Sequence, residues 1–267
     1  MSRESERTML LVAQVSDTHF DLGARNYERA ERVMAYLAEL RHRPDAIVVT
    51  GDITESGQPD QYAEARIALQ ADIPVFLIPG NHDERTAFRE LLLGVRSSAD
   101  PIHQVHRVGE LTMVLLDSTV PGQSGGRLSD ETLRWLCKVL GEAPTGKPIL
   151  LALHHPPVRL HSPIIDEIAL AEPERLAEII ADEERIVGVL AGHAHSAVSS
   201  VFAGRPLLVG PSTASVLGGA WELGLPDRVM DYAPDPAIAL HVIDTDHRMT
   251  THFRSVPMGG WINTPHY

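Results

Sequence analysis

Val75-Phe76-Leu77-Ile78-Pro79-Gly80-Asn81-His82-Asp83 reads as a buried strand that stops where its chemistry begins. Four apolar residues bounded by Pro and Gly suit a short strand covered on both faces. The side chains after the break offer an amide, an imidazole and a carboxylate. Four more stretches repeat this design. Residues 12–15 lead into Ser16-Asp17-Thr18-His19, and 47–50 into Gly51-Asp52. Residues 150–153 lead into His154-His155-Pro156-Pro157, and 187–191 into Gly192-His193-Ala194-His195. One Gly-Asp or Asp-x-His after a strand is common turn chemistry. Five in series point to a single site at the carboxyl edge of the strands, where open α/β sheets bind their ligands.

Residues i and i+2 at a strand end point alike, so Asp17 is expected beside His19 and His193 beside His195. Glycines before Asp52, Asn81 and His193 are expected to let the backbone turn sharply and the side chains converge. The donors are oxygen and nitrogen without sulfur, which suits Mn(II), Fe(II/III) or Zn(II). The one cysteine, Cys137, excludes an intrachain disulfide and a Cys-based zinc site. Its place among Leu133, Leu136 and Leu140 predicts a buried structural thiol.

Helical patterns fill the gaps at 27–41, 59–71 (with Pro59 in the first turn), 86–93 and 173–182. Ser129 is expected to cap another helix, with Asp130 and Glu131 at its positive end. Strand-like runs at 102–108 and 111–116 meet at Gly109-Glu110, a tight turn. Beyond 197 the pattern changes to runs at 198–202, 206–209, 238–243 and 249–255, expected as antiparallel strands. The class is α/β (α+β), in one domain of residues 1–267: a core over 9–210 and a β-rich extension over 211–267. Ser124-Gly125-Gly126-Arg127 lacks phosphate-loop spacing and reads as a flexible connection. Gly210-Pro211-Ser212-Thr213 is open to two readings, a turn or a border of the site.

Asp and Glu number 36 against 23 Lys and Arg, a formal charge of −13. Phosphate backbones and anionic membranes require clustered cations, so neither a nucleic-acid polymer nor a membrane is an expected partner. Residues 2–8 are polar and no apolar run approaches a membrane span, so a cytoplasmic protein is expected.

The ordered set Asp-x-His, Gly-Asp, Gly-Asn-His-Asp, His and Gly-His-x-His, spread from Asp17 to His195, resembles the calcineurin-like metallophosphoesterases. The Leu-His-His-Pro-Pro form is most similar to class III cyclic-nucleotide phosphodiesterases and bacterial glycerophosphodiesterases. The resemblance implies a four-layer αββα sandwich and a two-metal centre. By position, Asp17, His19, Asp52 and His195 would hold one ion, and Asn81, His154, His193 and the shared Asp52 the other. It further implies attack on phosphorus by a hydroxide shared between the metals, with His82 steadying the phosphoryl group or protonating the leaving oxygen. Asp83 and His155 would support the ligands. Apart from the resemblance, His161 lies with Arg159 in the loop after His154, and a substrate lid over 156–170 is one reading of it.

Two departures bear on substrate. Protein Ser/Thr phosphatases carry an arginine for the phosphomonoester dianion where Ser56 stands here, and purple acid phosphatases a tyrosine where Glu55 stands. A small phosphodiester, such as a 3′,5′-cyclic nucleotide, is therefore expected. Glycerophosphodiesters, phosphonate monoesters and nucleotide pyrophosphates are the alternatives, and an inactive metal-binding scaffold the alternative of another class. Glu55 is expected to hydrogen-bond His82. Members of this type often dimerise, and Trp221 and Trp261 in the tail are candidates for a homodimer contact.

Overall fold

The computed structural model describes residues 9–219, 221 and 230–259; the polar lead of 2–8 and Trp261 lie outside the described residues. Strand and helix alternate first, as β1 (Met9–Val15), α1 (Ala24–Glu39), β2 (Ala46–Thr50), α2 (Pro59–Ala68) and β3 (Val75–Ile78). A short α3 (Arg85–Ala87), starting one residue ahead of the helical stretch expected at 86–93, runs into a π-helical turn, Phe88–Leu92. The hairpin of β4 (Gln104–Val108) and β5 (Leu111–Leu116) turns at Gly109, whose φ is 57°. Next come β6 (Gly126–Arg127), α4 (Asp130–Glu142), β7 (Ile149–Leu153), α5 (Pro163–Glu167), β8 (Leu170–Ala171), α6 (Pro173–Ala181) and β9 (Ile186–Ala191). The chain continues through β10 (Val198–Phe202), β11 (Arg205–Val209), β12 (Val216–Leu217), β13 (Met230–Asp231), β14 (Ala237–Asp244) and β15 (Met249–Ser255).

Two sheets form the centre, one in the order β15-β14-β1-β2-β3 and the other β10-β11-β9-β7-β5-β4. Alternate residues of each strand enter different cores. Val12, Val48 and Ile78 join Met113, Leu115 and Leu150 between the sheets. Ala13, Val15 and Val49 face outward with Val33 and Leu37 of α1 and Tyr62 of α2. Val114, Leu151 and Val189 face the other way with Leu136 of α4 and Ile180 of α6. Three apolar layers therefore separate helix, sheet, sheet and helix, the expected αββα sandwich. Each fully buried Leu or Val contributes roughly 1.5–3 kcal/mol.

The tail is woven into both sheets. β14 lies antiparallel against β1 and carries β15 on its outer side, while β11 is antiparallel to β10 but parallel to β9, so the expected antiparallel set is mixed. Ser129 Oγ accepts from Thr132 N at 3.1 Å and caps α4 as expected. Cys137 differs from expectation, because it is exposed. The buried stripe of α4 runs through Thr132, Leu133, Leu136 and Leu140 and leaves Cys137 on its outer margin.

One polar chain crosses the layer between the sheets. Gln14 Nε2 donates to Thr50 Oγ1 (3.0 Å) in its own sheet and to the Ala191 carbonyl (2.7 Å) in the other. Its Oε1 lies 3.1 Å from Nε2 of the buried His241, and His241 Nδ1 lies 2.8 Å from Thr251 Oγ1.

Candidate metal centre

Asp17, His19, Asp52, His193 and His195 lie just past their strands with left-handed backbone, at φ 52°, 45°, 47°, 71° and 51°. The side chains converge because of these turns rather than the strand pleat expected from the sequence. Non-glycine residues held there store on the order of 1–3 kcal/mol each and cluster at functional sites. The surroundings enforce them. Asp17 N donates to the Gly51 carbonyl (3.1 Å) and His19 N to the Asp52 carbonyl (3.0 Å), which zips the first loop to the second. Gly51 also has positive φ, 94°, and a Cβ there would lie 2.4 Å from His154 Nδ1. Gly80 serves by close approach instead, since its Cβ would lie 2.1 Å from Asp52 Oδ1.

Asp17, His19, Asp52 and His195 bring one donor atom each within 4.8 Å of one another, as do His154, His155 and His193. Asp52 stands between the two groups, with Oδ2 3.3 Å from His154 Nε2 and 3.7 Å from His19 Nε2. His154 donates Nδ1–H to the Thr50 carbonyl at 2.8 Å, which turns Nε2 inward. That Nε2 is also 3.2 Å from Asn81 Oδ1 and 3.2 Å from His193 Nδ1. His19 donates Nδ1–H to Glu55 Oε2 at 2.7 Å, which leaves its Nε2 3.1 Å from His195 Nε2. His195 holds Ser215 Oγ at 2.9 Å through Nδ1 and lies 3.7 Å from Asp17 Oδ1.

Electrostatics follows from this crowding. Burial, with the nearby Asp52, pushes the Asp17 carboxyl up to about 6. Burial opposes charge at Asp52 as well, but the His154 and His19 imidazoles hold it well below the usual carboxylate range. Burial also opposes the His154 cation, which Asp52 and Asp17 nonetheless carry up to about 9. His193 and His195 are pushed down to about 3, by burial first and then by His154 and His19 respectively. Opposed imidazole nitrogens about 3 Å apart, flanked by two carboxylates, require a proton or a cation among them. The oxygen and nitrogen donors therefore fit a dinuclear divalent site, which would bind with release of protons.

The remaining expected residues divide. His82 does not meet the Glu55 carboxylate, since its Nδ1–H goes to the Glu55 backbone carbonyl at 2.7 Å and the carboxylate is spent on His19. Asp83 accepts from Ile53 N, Thr54 N and Gly80 N at 3.0, 3.1 and 2.9 Å, bracing the second loop against the third. His155 donates Nε2–H to the Ser124 carbonyl (3.1 Å) and so takes the Ser118 hydroxyl hydrogen at Nδ1 (2.8 Å), which leaves neither nitrogen for a metal. Ser124–Arg127 is thus no loose connection. Gly126 backs onto the His155 ring, and β6 pairs with β8. His161 is exposed at φ 58°, while its neighbours Ile164, Ile165 and Ile168 line a cavity of about 440 Å³ over Asp52, Asn81 and His82.

The loop after β11 borders the site. Ser212 Oγ donates to the Asp17 carbonyl at 2.9 Å, and Ser215 holds His195. Ser215, Glu55 as the partner of His19, and the isoleucine wall were not read from the sequence, where small polar and aliphatic residues carry no spacing signal. Ser56, at the position of the phosphatase arginine, turns to bond Gln61 Oε1 at the start of α2 (N–O 3.0 Å).

Residues 10–197 match the calcineurin-like phosphoesterase family. A probable cyclic nucleotide phosphodiesterase of Rhodococcus erythropolis is 36% identical over 224 residues, covering 79% of this chain and 73% of that one. The glycerophosphodiester phosphodiesterase GpdQ of Enterobacter lignolyticus is 33% identical over 220 residues, 76% and 77% of the two chains. Among solved structures, the purple acid phosphatase PPD1 of yellow lupin superposes with a TM-score of 0.68 over 96% of this chain and 53% of its own. At 14% identity that likeness concerns the fold alone. Among the described residues no helix is long and apolar enough to cross a membrane. Motif order, four-layer fold and donor geometry agree with the family match: the chain belongs to the calcineurin-like phosphoesterases.

Proposed function

We propose that this chain hydrolyses small phosphodiesters at a pair of Mn, Fe or Zn ions. Asp17, His19, Asp52 and His195 would hold one ion and Asn81, His154 and His193, with Asp52 shared, the other. The observation that carries the reading is Asp52, a fully buried carboxylate within 3.7 Å of imidazole nitrogens from both donor groups. Two bound cations would acidify water and neutralise phosphate oxygens.

The chain's own residues do the rest. Thr50 and Glu55 fix the tautomers of His154 and His19 so that each presents Nε2 to the cluster. His82, whose Nδ1–H goes to the Glu55 carbonyl, lines the cavity, and in its doubly protonated form it would donate Nε2–H to the leaving oxygen. No Lys or Arg lines the cavity among the described residues, and Ser56 is hydrogen-bonded to the Gln61 side chain of α2. A phosphodiester monoanion needs less positive charge than a monoester dianion. The named activities of the Rhodococcus and Enterobacter relatives support the same substrate class.

Metal-stripped protein reloaded with Mn(II) tests the proposal, with bis(4-nitrophenyl) phosphate against 4-nitrophenyl phosphate. Faster turnover of the diester is expected. No turnover of either with two ions bound would overturn the enzyme reading in favour of an inactive scaffold.

A further inference from the structure

The cavity above Asp52 has two unlike halves. Asn81, His82, Ser124 and the cluster imidazoles form its floor and one side. Ile164, Ile165 and Ile168, in and just after α5, form the other side together with Leu217 of β12 and Met230 of β13. Ile164, Ile168 and Leu217 are half-buried, so each keeps a face toward the opening. The segment carrying the isoleucines is fixed at both ends. Leu160 N donates to Asp166 Oδ1 at 2.6 Å, and Leu170 N to the Pro156 carbonyl at 3.1 Å. Two elements far apart in sequence thus present a hydrocarbon surface to whatever occupies the site.

We infer that this wall selects phosphodiesters bearing a flat, uncharged ring substituent, a nucleobase or an aryl group, over those bearing glycerol and a charged head group. The inference rests on the phosphodiesterase reading and refines it. A cavity of about 440 Å³ has room for a phosphodiester with one such ring and falls within the usual span of small-ligand sites. Among the described residues Asp52 is the one carboxylate in the lining and no Lys or Arg joins it; Asp52, His193 and His195 are committed to the cluster. An ammonium head group therefore finds no free carboxylate there among the described residues. The polyol of a glycerophosphodiester would lose water against isoleucine without gaining hydrogen bonds, whereas a ring face gains from the same contact. Apolar pockets discriminate by about 10–200-fold per well-filled group, which sets the expected scale.

The test measures kcat/KM of Mn(II)-loaded protein for 3′,5′-cyclic AMP, bis(4-nitrophenyl) phosphate and glycerophosphoethanolamine. Cyclic AMP is expected to exceed glycerophosphoethanolamine by at least about tenfold, with bis(4-nitrophenyl) phosphate, whose leaving group is activated, reporting only that the loaded site is active. Ile168→Asn and, on the other element, Leu217→Asn should each lower the ratio of cyclic AMP to glycerophosphoethanolamine by about tenfold, mainly through KM. Thermal melts establish that each variant is folded. A wild-type ratio near one, or a ratio unmoved in both folded variants, would overturn the inference and leave phosphodiester hydrolysis standing. Failure of the loaded wild type on all three diesters would instead overturn the reading of the site itself.

Discussion

The rim of the strands and the layers beneath it obey different rules. In the layers, strand residues alternate between cores, the backbone is regular, and nearly every contact is aliphatic. At the rim, within a few residues, five non-glycine side chains adopt left-handed backbone, and buried carboxylates crowd against imidazoles. Conformations and charges of that kind persist only when the surroundings over-determine them. The layers supply that restraint.

The contrast is broken most severely at Asp52. Asp52→Asn should lower diester turnover by about 10³-fold or more and lower the metal content, because both donor groups lose their shared carboxylate. Full occupancy by metal analysis would contradict it. His82→Ala should keep both ions while slowing kcat by about 10²–10⁴-fold, the span for lost proton transfer; unchanged turnover would count against the role given to His82. Glu55→Gln should weaken metal binding by about 10–100-fold through misorientation of His19, a loss read by titration with Mn(II).

Below the rim the expected effects concern stability. Burial pushes His241 from its ordinary 6.5 down to about 3. The unfolded chain takes up this proton below pH 6.5 and the folded one does not, so the contribution is full above 6.5 and is lost as pH falls toward 3. The slope is at most about 1.4 kcal/mol per pH unit for one such group. His241→Asn should flatten the urea-unfolding free energy against pH in that window by up to this slope; an identical slope would refute it. Smallest is Ser129→Ala, expected to cost about 1 kcal/mol by the same unfolding measurement, through loss of the α4 cap, without change in turnover.

Much of this contrast could be read from the chain. Buried parallel strands announce themselves as apolar runs: the run at 111–116 matches β5 to the residue, and those at 150–153 and 187–191 match β7 and β9 to within one residue. The donor residues were legible because each followed such a run. The left-handed turns were not, since Asp and His rarely adopt them and only the assembled rim imposes them. The Glu55–His19 contact was hidden behind a nearer candidate, His82, which takes the backbone of Glu55 instead. Two-residue strands such as β6 and β8 leave no periodicity, and Cys137 shows how a residue one position off a helical stripe is misassigned. The polar chain through Gln14 and His241 was invisible because its members sit singly inside apolar runs.

Gln14 has a wider meaning. It fastens Thr50 of one sheet to Ala191 of the other directly under the cluster. Asp17, Asp52 and Asn81 hang from the first sheet, and His154, His193 and His195 from the second. The gap that ions must span is thus gauged by the thickness of Met113, Leu115 and their neighbours between the sheets. A change of volume in that aliphatic layer would alter the spacing of the donors without touching any of them.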